Sequence, residues 1–148
     1  MPIVWRDAMS IDDGPIDDEH KFWISLANGI DEALQGGVDS EKILENLKKL
    51  KYYTVYHFMR EEAIQREIGY PDHEQHAEKH RQLVAVVDNA LKLFEQEIHQ
   101  GKHQGIRDNM VRLLKTWIVG HIVNNDIPMR SYIRMHRRGP YRGPISTV

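Results

Sequence analysis

Seven side chains able to ligate a metal recur along this chain at helical spacing: His20, then His57 with Glu61, His76 with His80, and His121 with Asp126. Five are imidazoles and two are carboxylates, a nitrogen and oxygen donor set that suits first-row transition metals. No cysteine is present, which removes disulfides, iron-sulfur clusters, thiolate zinc sites and cysteine nucleophiles together. Any metal must therefore be held by nitrogen and oxygen. On an α-helix, residues four apart share a face about 6 Å along the axis, so His57 with Glu61, and His76 with His80, can each point together into a core.

Spacing alone is weak testimony. Nine histidines in 148 residues give ~0.5 HxxxH pairs by chance. His99 and His103 form a second such pair, but Gly101 lies between them and Gly105 follows, so they read as a hydrated loop. His73 has Ala77 as its i+4 neighbour and reads as solvent exposed, and His136 has no partner at ligand spacing. The seven differ because every helix contributes to the set. His57 lies between Tyr56 and Phe58, and His121 between Gly120 and Ile122, surroundings in which an unliganded imidazole is poorly satisfied.

The elements that must position these groups are helices. Apolar residues recur at intervals of three and four, and strand alternation is almost absent, which predicts an all-α fold. The first helix is expected from about Asp17 and Asp18, through Phe22, Trp23, Leu26 and Ile30, to Gly36-Gly37. The second runs from Asp39-Ser40 to Ile68, ended by Gly69, and some 29 residues give it ~43 Å. The third places Pro71 at its first position and carries Leu83, Val86, Val87, Leu91, Leu93 and Phe94 towards Gln100. A loop is expected over Gly101 to Gly105, and the fourth helix from about Ile106 to His121. Short connections imply an antiparallel up-down-up-down four-helix bundle. Residues 1–127, with 1–16 as an N-terminal arm, form the bundle, and residues 128–148 form a basic C-terminal tail.

Length supports one domain. The net charge of -2 hides an asymmetry: residues 1–126 hold fifteen basic against 22 acidic groups, while Arg130, Arg134, Arg137, Arg138 and Arg142 follow with no acid. The acidic body repels phosphate and the basic stretch is short, which argues against nucleic-acid binding. Tyr132, Ile133 and Met135 offer an apolar side for packing on the bundle, with docking of a protein partner as the alternative. The N-terminus lacks the basic start and apolar run of a secretory signal, and no stretch approaches ~18 apolar residues. A soluble, cytoplasmic protein without membrane insertion is expected.

The stretch from Trp5 to His20, the segment His57-Phe58-Met59-Arg60-Glu61-Glu62, the run from Tyr70-Pro71 through His76 and His80, and Trp117-Ile118-Val119-Gly120-His121-Ile122 ending at Asp126 resemble the successive motifs of bacterial hemerythrins. The resemblance implies a four-helix bundle around a non-haem diiron centre that binds dioxygen reversibly. It implies His76, His80 and His121 on one iron, His20 and His57 on the other, and Glu61 and Asp126 bridging. With one oxygen per iron from each bridging carboxylate and a shared oxide or hydroxide, the three-histidine iron is six-coordinate. Its two-histidine neighbour is five-coordinate and open to one small ligand.

Five neutral imidazoles and two anions provide less anionic donation than the four carboxylates of ferritin-like enzymes, which favours a carrier over an oxygenase. Trp23, Phe58, Trp117, Ile118 and Ile122 are spaced to wall the open position against water, and ordinary core packing is compatible with that role. Three function classes are weighed: an O2-binding protein for storage, delivery or sensing; a diiron enzyme of peroxidase or ferroxidase type, with nitric oxide binding as a related option; and a metal-independent interaction bundle. Weak peroxidase-like side activity would be compatible with the first. One spacing is irregular. His121 and Asp126 are five apart, an offset of ~140° on a regular helix, so a π-type widening is predicted between His121 and Pro128.

Overall fold

The computed structural model describes residues 1–100 and 104–138. Five α-helices are α1 (Pro15–Gln35), α2 (Ser40–Ile68), α3 (His73–Gln100), α4 (Gln104–His121) and α5 (Arg130–Arg138). Among the described residues there is no strand. α1 packs on α2, α2 on α3, α3 on α4 and α4 back on α1, which closes an antiparallel ring of four helices. No helix among the described residues is long and apolar enough to cross a membrane.

The chain reverses where backbone chemistry requires it. Gly69 sits at φ 64°, in the left-handed region, and its N–H and that of Tyr70 close onto the carbonyls of Arg66 and Gln65. This wraps the orphan carbonyls of the α2 terminus with a residue that has no Cβ to clash. Gly37, at φ 70°, does the same service between α1 and α2. Pro71 differs from expectation. It lies in a turn closed by the His73 N–H on the Tyr70 carbonyl, and α3 begins at His73. Tyr70 and Asp72 bracket a tight corner, so the proline's fixed φ is spent on the turn and not on the helix.

α1 also starts earlier than Asp17, at Pro15. The Asp12 carboxylate accepts the N–H groups of Gly14, Ile16 and Asp17, and thereby caps the helix. Asp17 faces back towards the arm, accepting from the Ser10 hydroxyl and from the N–H groups of Ile11 and Asp13. The two aspartates thus weld the arm to the turn that launches His20.

A large apolar cluster runs through the bundle, built on Trp23, Ile30, Ile43, Leu47, Leu50, Phe58, Phe94 and Ile118. Phe22, Val86 and Leu93, read as part of the apolar stripes, are largely exposed. A smaller cluster joins Ile11 and Ile16 to Tyr70, Met129 and Ile133. α5 belongs to it: Ile133 is buried, Tyr132 meets Tyr70 edge-on, and Met135 is exposed, contrary to the expectation that it packs. Arg130 donates to the carbonyls of Ala8 and Ser10, and Arg137 to the Asp12 carbonyl. Arg130 and Arg137 of α5 therefore clamp the N-terminal arm. Arg142 lies outside the described residues.

Between His121 and α5 the chain adopts a π turn over Ile122–Asp126, as the five-residue spacing predicts. The Ile127 N–H reaches the Ile122 carbonyl, a five-residue bond, and a 3-10 turn over Ile127–Met129 follows with Pro128 inside it. The wider turn absorbs one extra residue and brings Asp126 onto the face of His121.

Candidate metal centre

The structure brings all seven predicted groups into one buried layer. His20 comes from α1, His57 and Glu61 from α2, His76 and His80 from α3, His121 from the end of α4, and Asp126 from the π turn. None is more than 4 % exposed. They fall into two overlapping sets, Glu61 with His76, His80, His121 and Asp126, and His20 with His57, Glu61 and Asp126. Within each set the ligand atoms lie within 4.8 Å of one another. Glu61 and Asp126 belong to both.

Asp126 Oδ1 lies 3.0 Å from Nε2 of both His76 and His121, and its Oδ2 lies 3.2 Å from His20 Nε2. One carboxylate thus turns one oxygen to each set. Glu61 Oε2 stands 3.5 Å from His57 Nε2 and 3.4 Å from His80 Nε2, and its Oε1 stands 3.6 Å from His76 Nε2. The Nε2 atoms of His20 and His57 converge to 3.1 Å, as do those of His80 and His121. Both carboxylate oxygens of Glu61 and of Asp126, together with His76 Nε2, are buried without a hydrogen-bond partner. Unsatisfied buried acceptors cost about 1–3 kcal/mol each, more when charged. Two anions and five converging imidazoles in a dry layer are therefore a donor set completed by cations.

Three further groups orient the imidazoles, and sequence reasoning missed them. Glu19 Oε2 lies 2.8 Å from His57 Nδ1, and Glu62 Oε1 lies 2.7 Å from His80 Nδ1. A carboxylate there holds the proton on Nδ1 and leaves Nε2 with a free lone pair. The Asn125 amide sits 3.2 Å from His121 Nδ1, and a half-turn of that amide presents its oxygen to an Nδ1–H. Glu19 is in turn gripped by Arg60 Nε at 2.8 Å. The available signal was adjacency: Glu19 precedes His20 and Glu62 follows Glu61. A residue next to an inward ligand lies ~100° round its helix and faces the neighbouring one.

The field inside the layer is uneven. Burial and the facing Asp126 push the Glu61 carboxyl above its ordinary value. Burial acts the same way on Asp126, but His121, His20 and His76 outweigh it and hold that carboxyl well below the usual range. Burial opposes the charged forms of His20 and His76, yet the Asp126 carboxylate facing them at 3.2 and 3.0 Å raises both. His80 is lowered to about 3 by burial and by His121 beside it.

The five predicted wall residues are all buried. Trp23 lies 6.3 Å from His20 and 5.5 Å from His57, ring centre to ring centre, and its Nε1 donates to the Thr54 hydroxyl at 2.8 Å. Phe58 stacks flat on His80 at 3.7 Å, so it leans on the three-histidine set as well as on Trp23. Trp117 packs 5.1 Å from Trp23, one layer further out, and its buried Nε1–H has no acceptor. Ile118 and Ile122 are fully buried in the same cluster.

The other histidines join neither set. His99 is exposed on the last turn of α3, not in a loop, and His103 lies outside the described residues. His73 is half-buried and not free: its Nδ1 pairs with the Gln65 amide oxygen at 2.9 Å. Gln65 itself is fully buried and donates to the Met129 sulfur. His136 is exposed on α5.

A family model described as the hemerythrin HHE cation binding domain matches residues 14–126. The chain belongs to the hemerythrin family. Its members are non-haem iron-binding proteins and generally bind oxygen, so this chain is an iron-binding bundle. A bacteriohemerythrin of Clostridium acetobutylicum is 31% identical over 133 residues, covering 88% of this chain and 98% of that protein. One from Methylococcus capsulatus is 32% identical over 113 residues, covering 76% and 82%. A crystal structure of wild-type hemerythrin superposes with a TM-score of 0.75 at 26% identity, covering 90% of this chain and 98% of that one.

Proposed function

We propose that this chain binds dioxygen reversibly at two iron ions joined by an oxide or hydroxide, for storage, delivery or sensing in the cytoplasm. The observation that carries the reading is the unequal division of histidines, three against two, around two shared carboxylates. His76, His80 and His121 would complete one iron and His20 and His57 would leave the other a position short. Two ferrous ions held by these residues would supply the two electrons that reversible O2 binding requires.

The chain's own contribution is to orient and to exclude water. Glu19 and Glu62 keep Nε2 of His57 and His80 unprotonated and aimed inward. Trp23, Phe58, Ile118 and Ile122 cover the layer with hydrocarbon, and Trp117 backs Trp23. That cover keeps water, and the protons it would deliver, away from the layer, which protects bound metal from irreversible oxidation. That dry wall and a donor set with only two anions support a reading of binding without turnover.

The test is optical. Iron-loaded, reduced protein should be colourless, gain a visible absorption band in air, and lose it under vacuum. Hydrogen peroxide turnover without a reversible band would replace this reading with an enzyme, and a band formed with nitric oxide alone would make that gas the ligand.

A further inference from the structure

The two ends of the metal layer differ in their access to solvent. His20 and His57 are fully buried, whereas His76 and His121 each line a surface cleft. The first cleft, about 180 Å³, is bounded by Tyr70, Asp72, Gln75 and Pro128 besides His76. The second, about 430 Å³, runs between α3 and α4 past Gln82, Thr116 and Trp117 to His121. Lys79, Asn124 and Asn125 border both. Asn124 and Asn125 belong to the π turn, whose next residue is the shared carboxylate Asp126.

We propose that metal ions reach the centre here, over Lys79 and through the π turn, filling the His76–His80–His121 position before the two-histidine position. Pro128 has no N–H to bond the Asn124 carbonyl, so this turn lacks a backbone restraint that a regular helix would have. The side chains at the mouth, Asp72, Gln75, Asn124 and Asn125, carry oxygens that can replace water on a hydrated divalent ion stepwise. Nitrogen ligands line the same clefts, His76 the first and His121 the second. Lys79 is the exposed cation on both rims, and it opposes an approaching cation. This inference rests on the metal-binding character of the layer and is independent of whether the bound metals hold O2.

The rate of Co2+ uptake by metal-free full-length protein, followed by the visible bands of the bound ion, tests it. Lys79→Glu should accelerate uptake about three- to tenfold at low salt, with the gain vanishing near ~0.5 M salt. Asn124→Trp, which fills the cleft from its exposed rim, should slow it. Lys48→Glu makes the same charge change beside a different cleft, between α1 and α2. It should leave the rate unchanged, and all variants should still take up two ions. Equal acceleration by both glutamates would show steering by total charge and overturn the route, as would indifference to Lys79→Glu and Asn124→Trp. Fewer than two ions bound by the unmodified protein would overturn the metal centre itself, and the route with it.

Discussion

The two-histidine and three-histidine ends of one polar layer are built from different backbone. His20 and His57 project from the interiors of regular helices α1 and α2, under Trp23. The other end joins α3 to a π turn and borders two clefts. Regular helices hold a side chain to within a rotamer but admit nothing between their turns. A widened turn costs backbone hydrogen bonds and gains freedom to deform. On the readings proposed above, ligand reception falls to the rigid, dry end and metal delivery to the deformable, wet end, with Glu61 and Asp126 common to both.

Removing ligands is the strongest way to break that division. Asp126→Ala should lose both ions, because its two oxygens face opposite sets, whereas His57→Ala should keep about one ion per chain; elemental analysis of purified protein decides. Equal losses would mean that the two sets are not separable. Next comes the π turn. Inserting one alanine after Val123 should swing Asp126 by ~100° and cut metal content to about one ion or fewer with helix content unchanged. Deleting Val123 should restore an i, i+4 spacing and retain binding. If both changes behave alike by metal analysis and circular dichroism, the turn is not what aligns Asp126.

The orienting carboxylates offer a finer comparison. Glu19→Gln should weaken the two-histidine position and Glu62→Gln the three-histidine position, each about 10- to 100-fold in metal affinity. Competition with a coloured chelator would resolve the two steps, and the wrong step weakening in either variant would contradict the pairing. Trp117→Ala and Ile118→Ala should each speed autoxidation of the oxygenated protein, and unchanged kinetics in both would remove the shielding role. The smallest effect expected is on proton balance. His20 and His76 hold protons above the ordinary imidazole value of 6.5, so cations must displace them. Metal affinity should therefore keep rising as pH climbs through and beyond 6.5, while His80, lowered to about 3, is already neutral there. Calorimetry in buffers of different ionisation heat reads the protons released; none released near pH 6.5 would contradict it.

Much of this architecture was legible in the residues. The four helices follow from apolar spacing, α2 runs from Ser40 to Ile68 because Gly69 can adopt a left-handed terminus, and the π turn follows from a five-residue gap that only a widened helix closes. The seven ligand candidates meet because His57 with Glu61 and His76 with His80 repeat at i, i+4 on inward faces, the π turn brings Asp126 round to His121, and α1 turns His20 towards them. Less legible were contacts that depend on how helices are rotated about one another. Glu19 and Glu62 look like ordinary surface acids until α1 and α3 are packed on α2. The start of α1 was misplaced because Asp12, three residues before the proline, caps it from the arm. The exposure of Phe22, Val86 and Leu93 shows that an apolar stripe wider than the core face leaves its margin in solvent.

The central claim is reversible O2 binding at the two-histidine end, and oxygen titration of the anaerobic, ferrous-loaded protein tests it most directly. The account predicts one O2 taken up for every two irons, with an absorption band that returns to baseline under vacuum through repeated cycles. Uptake that leaves the iron permanently oxidised, or a colour change that vacuum does not reverse, would contradict it.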